Sequence, residues 1–182
     1  MNKFLEKINK ICRENKKVLF IDLDSTLIKT ISGKTFPEDI TDFRIQLPVL
    51  NKIVEKFPKL NYLFIVTNQG GIGKFITKSD FERKLDYIQH FCEFFLEERL
   101  KNMCCCDSEY CDSMDKANPY RKPNTGMLEV LFERWEIPSK EVCIMIGDAS
   151  GKSGDFSDSD KKCAENFGID YIDVRDFLEL WN

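Results

Sequence analysis

Three short apolar runs, each followed at once by polar residues, constrain the fold of this chain more than any other feature. They span residues 18–21, 62–66 and 142–146 and consist mostly of β-branched, aromatic or other large apolar side chains. Runs of four or five residues that are apolar throughout are typical of parallel strands buried on both faces. Helical patterns at about 48–57, 77–100 and 124–135 separate them. The alternation predicts an α/β fold in which helices cover both faces of a parallel sheet.

Weaker signals extend this arrangement toward both ends of the chain. Apolar residues at helical spacing predict an N-terminal helix over about 3–16, and residues 174–181 predict a closing helix. Tyr171-Ile172 favours an edge strand, and Met103–Cys106 favours a strand leading toward the loop around residue 121. No repeat, low-complexity segment or linker divides the sequence. We therefore interpret residues 1–182 as one domain with a core at about 18–178.

Composition excludes several classes of protein. Hydrophobic residues make up 42% and charged residues 32%, which indicates a globular rather than a disordered chain. No apolar run approaches the roughly 20 residues of a membrane span, and the first 17 residues are too charged for a secretory signal. We expect a monomeric intracellular protein, cytoplasmic or nuclear, that is neither secreted nor in a membrane. The net charge of −4 means that any binding of nucleic acid requires a local basic patch.

The eight cysteines favour reduced thiols. Cys104, Cys105 and Cys106 are consecutive, whereas a disulfide framework more often spaces its cysteines along loops.

Polar side chains stand where the predicted strands end. Asp22 and Asp24 follow the first run, Thr67 and Asn68 follow the second, and Asp148 follows the third. Ligands of parallel α/β sheets bind beyond the carboxyl ends of the strands, so we expect these side chains to lie close together. Three carboxylates would form an oxygen-rich site suited to Mg²⁺. One such acid alone is more often a helix cap or turn residue, but the coincidence at three strand ends favours a site.

Four motifs follow one another along the chain: Asp22-Leu23-Asp24-Ser25-Thr26, Thr67, Lys122 and Gly147-Asp148. In this order they resemble the four motifs of the haloacid dehalogenase (HAD) superfamily, the first of which is D-x-D-x-T. The resemblance implies a HAD-like Rossmannoid fold with three α/β/α layers, a central, mainly parallel sheet and a minimal cap.

The resemblance also implies a mechanism. Asp22 would be the nucleophile that forms an aspartyl-phosphate, and Asp24 would be the general acid and then the general base. Thr67 and Lys122 would bind the phosphoryl oxygens.

Magnesium is the cofactor that the resemblance implies. Asp22, the backbone carbonyl of Asp24, and Asp148 would bind it. Asp155 or Asp160 would lie next to these ligands without binding the ion directly.

Longer strings surround these motifs: Ser32-Gly33-Lys34-Thr35-Phe36-Pro37, Thr67-Asn68-Gln69, Tyr120-Arg121-Lys122-Pro123 and Asp155-Phe156-Ser157-Asp158-Ser159-Asp160. Together they resemble the 3′-phosphatase domain of polynucleotide kinase/phosphatase over about residues 18–178. This family implies hydrolysis of 3′-phosphates at DNA ends, nicks or single-stranded termini during end repair. Ser25, Phe43 and Lys152 depart from the family pattern, which usually has Gly, Trp and Arg there.

Substrate binding is expected from polar and basic residues in the loops after the strands. The candidates are Asn68, Arg121, Lys34, Arg44 and Lys74, and Lys152 lies in a similar loop. Together the cations would make the mouth of the site basic although the chain is acidic overall.

Two other interpretations stay open. A small-molecule phosphatase of the histidinol-phosphate or heptose-bisphosphate type shares Thr-Asn-Gln and Arg-Lys-Pro, but such enzymes carry a zinc loop of Cys-x-His and Cys-x-Cys pairs. Here Cys104–Cys106 and Cys111 are irregularly spaced, and His90 is the only histidine. A pseudoenzyme that keeps the fold as a scaffold is the other, which the intact acids, Thr67 and Lys122 disfavour.

A kinase activity is not expected from this chain. The segment from Gly147 to Ser153 is one residue short of the phosphate-binding pattern G-x-x-x-x-G-K-[ST], and no other stretch fits it.

Overall fold

A five-stranded sheet with helices on both faces forms the centre of the protein. The computed structural model describes residues 6, 10–11, 15–34, 37 and 39–180. The strands are β1 (Val18–Ile21), β2 (Ile28–Lys29), β3 (Arg44–Ile45), β4 (Tyr62–Asn68), β5 (Cys105–Cys111), β6 (Cys143–Gly147) and β7 (Asp170–Asp173). The α-helices are α1 (Leu47–Lys56), α2 (Lys78–Glu97), α3 (Gly126–Arg134), α4 (Ser159–Phe167) and α5 (Val174–Leu178). The sheet has the order β5-β4-β1-β6-β7, and every neighbouring pair is parallel.

Alternate residues of the central strands feed two separate cores. On β1, Leu19 and Ile21 pack with buried residues of α1, α2 and α5, whereas Val18 and Phe20 pack with those of α3 and α4. This alternation is the two-residue period of a strand that is covered on both faces. The α/β prediction with three layers and a parallel sheet is confirmed.

The predicted elements exist, with shifted ends. The first predicted strand coincides with β1, whereas β4 runs two residues further and β6 starts and ends one residue later than predicted. The strand predicted at Met103–Cys106 begins instead at Cys105 and continues to Cys111, because the edge strand β5 carries half-exposed polar residues that weaken its apolar pattern. Helix α4 was not predicted, since the polar string of residues 155–160 resembles a loop and the helix begins inside it.

The N-terminal helix predicted over 3–16 lies mostly outside the described residues. Glu6, Lys10 and Ile11 are helical, and Ile11 contributes to the core on the α1 side.

A small insert between β1 and α1 is the minimal cap. Strands β2 and β3 form an antiparallel two-residue ribbon, with Ile28 opposite Ile45. The backbone N–H and the hydroxyl of Ser32 donate to the Asp42 carboxylate at 2.8 and 2.7 Å, which closes the loop between the two strands. The insert therefore emerges from the carboxyl end of the central strand β1.

Within the described ranges, no helix has both the length and the apolar character needed to cross a bilayer. The seven described cysteines are free thiols.

Candidate active site

The sheet order explains why polar residues far apart in sequence meet. Strand β1 lies between β4 and β6, with Ile21 in register with both Ile65 and Ile146. Asp22 continues this register, since its backbone N–H donates to the carbonyl of Ile146 at 3.0 Å. The three strand ends that carry Asp22, Thr67 and Asp148 are therefore adjacent.

A buried lysine reaches these strand ends from the loop between β5 and α3. The ammonium Nζ of Lys122 donates to Oδ1 of Asp22 at 2.5 Å and to the carbonyl of Val66 at 2.8 Å. It also forms an ion pair with Oδ1 of Asp160 at 2.7 Å. Lys122 is 3% exposed, so these contacts take the place of water around its charge. Burial lowers the pKa of Lys122, but the charges of Asp160 and Asp22 outweigh it and raise the pKa overall.

Three carboxylates form the acidic cluster of the site. Oxygens of Asp22, Asp148 and Asp160 lie within 4.8 Å of one another. Burial, together with Asp160, raises the pKa of Asp148 to about 6. Burial also raises the pKa of Asp22 well above its usual range, although Lys122 acts in the opposite direction. One lysine faces three acids, so the cluster has the charge and the oxygen donors that suit a divalent cation.

Of the two acids expected to support the metal ligands, the structure brings only Asp160 into the cluster. Its Oδ2 accepts from the Ala149 backbone N–H at 3.1 Å. A Cβ at Gly147 would lie 2.3 Å from that same Oδ2, so the absence of a side chain there lets the acid approach the end of β6.

Asp155 serves the neighbouring loop instead. Its Oδ2 accepts from the backbone N–H groups of Ser150 and Lys152 and from the Ser150 hydroxyl, and the guanidinium of Arg175 holds the carboxylate from outside. The hydrogen bond from Arg175 and those from the loop hold the pKa of Asp155 far below its usual range.

Asp24 is exposed in a cleft beside the buried cluster. The amide Nε2 of Gln69 donates both to Oδ2 of Asp24 at 2.5 Å and to Oγ1 of Thr67 at 2.9 Å. Thr67 itself is 1% exposed. A single amide therefore sets the position of Asp24 relative to the end of β4. Gln69 belongs to the string Thr67-Asn68-Gln69, but the sequence alone did not indicate that its amide would link Asp24 to Thr67.

Asn68 was expected to bind substrate, but the structure uses both ends of its amide on the backbone of Lys122. Nδ2 donates to the Lys122 carbonyl at 3.0 Å, and Oδ1 accepts from the Lys122 N–H at 2.9 Å. Asn68 thus fastens the loop that carries Lys122 to the end of β4.

The cleft beside Asp24 has a volume of about 330 Å³ and lies between the insert and helix α2. Two of the expected cations, Lys34 and Arg44, line it. Two further cations in its wall, Lys29 and Lys84, were not predicted. Lys84 was missed because a lysine on a helix is ordinarily solvated.

The other expected cations lie elsewhere. Lys74 is exposed in the loop after β4, and Arg121 is half-buried, with Nη1 donating to the Ser113 carbonyl at 2.8 Å. Lys152 does not contribute to a basic mouth, because its ammonium forms ion pairs with Asp173 and Asp176.

Comparison with known proteins agrees with this geometry. Residues 17–177 match the family model described as polynucleotide kinase 3 phosphatase. The chain belongs to this family. Two relatives show how far the likeness extends. An uncharacterized 20.8 kDa protein of Autographa californica nuclear polyhedrosis virus is 31% identical over 90% of this chain and 86% of its own length. The bifunctional polynucleotide phosphatase/kinase of Schizosaccharomyces pombe is also 31% identical, over 96% of this chain and 40% of its own.

The likeness of this chain extends beyond polynucleotide phosphatase/kinases. The histidine biosynthesis bifunctional protein HisB of Legionella pneumophila is 29% identical over 87% of this chain and 41% of its own length. This chain thus spans about two fifths of either bifunctional relative. A D,D-heptose 1,7-bisphosphate phosphatase from B. bronchiseptica, crystallised with magnesium and phosphate, has the same fold, with a TM-score of 0.60 at 15% identity over 85% of this chain and 78% of that one. Family and fold together support a phosphoric monoester hydrolase of the HAD superfamily.

Proposed function

We propose that this chain is a polynucleotide 3′-phosphatase, which hydrolyses the 3′-phosphate ends of DNA through an aspartyl-phosphate on Asp22. The observation that carries the substrate class is the open, cation-lined cleft beside Asp24, in a chain whose family match covers residues 17–177. A role in DNA end repair follows from that substrate.

The first half of the reaction uses the two aspartates of the first motif. A carboxylate oxygen of Asp22 attacks phosphorus, and the bond between phosphorus and the 3′ oxygen breaks. Asp24 donates its proton to the departing oxygen. Its exposure in the cleft suits this role, because the leaving alcohol must reach it.

The second half returns the enzyme to its starting state. Asp24, now a carboxylate, takes a proton from the water that attacks phosphorus, and the bond between phosphorus and Asp22 breaks. Inorganic phosphate leaves, and Asp24 again carries a proton for the next turnover.

The buried residues around Asp22 would bind the negatively charged phosphoryl oxygens. Lys122, which contacts Asp22 and Asp160, would bind a phosphoryl oxygen, as would the hydroxyl of Thr67. Gln69 and Asn68 act by holding Asp24, Thr67 and the Lys122 loop in place. Because these contacts exist before substrate arrives, the site needs little rearrangement during the reaction.

Mg²⁺ fits the three-carboxylate cluster by its preference for oxygen ligands. Asp22, Asp148 and the backbone carbonyl of Asp24 would hold it, with Asp160 beside them. When bound, it would screen the negative charges of carboxylate and phosphate, which otherwise repel each other.

The loops around the site add features that suit a nucleic-acid end. Exposed large apolar side chains are concentrated in the insert and in the loops that follow β4, β5 and β6: Ile31, Phe75, Met114, Tyr120 and Phe156. Aromatic side chains interleaved with cations are the usual means of holding single-stranded nucleic acid, since bases stack on rings and phosphates meet the charges. Phe75 and Phe156 are the most exposed of these residues.

The test compares phosphate release from a 3′-phosphorylated DNA oligonucleotide, histidinol phosphate and a sugar bisphosphate, each with Mg²⁺. We expect the oligonucleotide to have the highest kcat/KM, and we expect Phe75→Ala and Phe156→Ala to raise KM for it. Phe94→Ala, which removes an exposed aromatic near the C-terminal end of α2, is the matched control. A higher kcat/KM for either small substrate would replace this proposal with the small-molecule alternative.

A further inference from the structure

Lys84 is a buried lysine that the mechanism above does not use. It lies inside helix α2 and is 5% exposed, which is unusual for a lysine. No residue that the structure describes forms a hydrogen bond or an ion pair with its ammonium. Its nearest defined partner is the face of the Phe43 ring, whose centroid lies 5.0 Å from Nζ. A buried ammonium with so little compensation is costly unless an anion approaches it.

The ammonium belongs to the wall of the cleft that contains Asp24. Among the residues that the structure describes, four cations line this cleft, Lys29, Lys34, Arg44 and Lys84, against two carboxylates, Asp24 and Asp42. Both oxygens of Asp42 already accept hydrogen bonds from Ser32. The described part of its wall thus carries more positive than negative charge and suits an anion.

The position of the cleft decides which part of a substrate would enter it. Lys122 and the acidic cluster lie on the buried side of Asp22, where the reacting phosphoryl group must bind. Asp24 faces the cleft, and the leaving 3′ oxygen must meet Asp24. The nucleoside attached to that oxygen therefore extends into the cleft, with its own 5′ phosphate beyond it.

We propose that Lys84 anchors a second phosphate subsite, which binds the phosphate on the 5′ side of the terminal nucleoside. This inference rests on the proposed function and names the part of the substrate that gives specificity. Phe43 holds the ammonium through its ring face, and Arg44 and Lys34 lie in the same wall. The subsite would favour a nucleotide inside a chain over a lone monoester.

A different role for Lys84 is to act on Asp24 alone. Burial lowers the pKa of Lys84, while the charges of Asp24 and Asp42 act against that shift, so these groups sense one another. Removal of the lysine would then affect every substrate equally, because each one needs the same proton from Asp24. The two roles are separated by substrates that differ only in the second phosphate.

The experiment measures kcat/KM for a nucleoside 3′-monophosphate and for the matching nucleoside 3′,5′-bisphosphate. Wild-type protein should prefer the bisphosphate, and Lys84→Met should reduce that preference about tenfold, mainly through KM, since a charged contact is lost. Lys84→Arg should keep most of it. Methionine preserves the buried stem without the charge, so thermal melting of Lys84→Met should show a folded protein.

Lys59→Ala is the control. It removes an exposed lysine just before the amino end of β4, whereas the site lies beyond the carboxyl ends of the strands, so it should leave the preference unchanged. Equal losses on both substrates in Lys84→Met, or an unchanged preference, would overturn the subsite. Wild-type protein that hydrolyses the 3′-phosphate but does not prefer the bisphosphate would overturn the subsite alone. Wild-type protein that hydrolyses neither nucleotide nor a 3′-phosphorylated oligonucleotide would overturn the proposed function itself.

Discussion

Asp22 and Asp24 are two residues apart, yet the structure gives them opposite surroundings. Asp22 is 6% exposed and bonded to Lys122, while Asp24 is exposed and bonded to Gln69. These surroundings suit different roles. A nucleophile such as Asp22 benefits from a fixed position, whereas a proton donor such as Asp24 must reach the leaving group.

Asp24→Asn should therefore reduce kcat by about 10²–10⁴-fold, the usual worth of a general acid and base, without loss of the fold. Phosphate release and a thermal melt check both parts. Asp112→Asn, which changes an exposed acid directly after β5, should behave as wild type. Activity of Asp24→Asn within about tenfold of wild type would argue against the proton-transfer role.

Ser25, between the second acid and Thr26, has a φ of 62°, a left-handed conformation that favours glycine. Ser25→Gly should raise the free energy of unfolding by up to about 1 kcal/mol, because removal of Cβ strain exceeds the added freedom of the unfolded chain. Urea denaturation measures the difference. Ser153→Gly is the control, since Ser153 does not have a positive φ and the same change should slightly destabilise the protein. A loss of stability in Ser25→Gly would contradict the strain.

At the scale of elements, the site depends on how closely α4 approaches the end of β6. Gly147 is the last residue of β6, and its missing side chain leaves room for the Asp160 carboxylate from the first turn of α4. Gly147→Ala would push Asp160 away from Lys122 and from the other two carboxylates.

We expect Gly147→Ala to weaken Mg²⁺ binding at least tenfold, as measured by calorimetry, and to lower activity in parallel. Gly71→Ala is the matched control for the Mg²⁺ affinity, measured without substrate, because its added Cβ meets only a ring carbon of the exposed Phe75, at 3.2 Å, and none of the carboxylates. Mg²⁺ affinity equal to wild type in Gly147→Ala would mean that the position of Asp160 does not matter for the metal.

The sequence predicted the parts of these elements that depend on local pattern. The apolar runs located β1, β4 and β6, and the order of a parallel sheet then brought Asp22, Thr67 and Asp148 to one edge. Helix α4 escaped prediction because its first turn is polar, and Asp160 could not be distinguished from Asp155 without it.

Pairings set by tertiary structure were also beyond the sequence. Asn68 binds the backbone of Lys122, 54 residues away, and Lys152 is neutralised by Asp176. The burial of Lys84 depends on the insert that folds over α2, which no periodicity in the sequence reveals.

At the scale of the whole molecule, the acidic cluster couples stability to pH and to metal. The pKa of Asp148 is about 6 in the folded protein, above its ordinary value of 3.8, so the metal-free fold binds a proton more tightly than the unfolded chain does. This group therefore lowers stability as pH rises from about 4 to about 6. Metal binding requires the deprotonated carboxylate, so Mg²⁺ and protons compete.

The increase in Tm on addition of Mg²⁺ should thus be larger at about pH 7.5 than at about pH 5, as measured by thermal melts at fixed ionic strength. Asp148→Asn should remove most of the increase at both values. A shift by Mg²⁺ that is the same at both pH values would contradict the assignment of the cluster as the metal site.

The central claim is that the phosphate of a DNA 3′ end passes through Asp22. The most direct test mixes the protein and Mg²⁺ with an oligonucleotide that carries a radiolabelled 3′-phosphate, quenches the mixture with acid within one turnover and maps the labelled peptide. We expect transient label on the peptide that contains Asp22 and none in Asp22→Asn, which should also release no phosphate. Release of phosphate without label on the protein, label on another residue, or no reaction with the DNA end would contradict it.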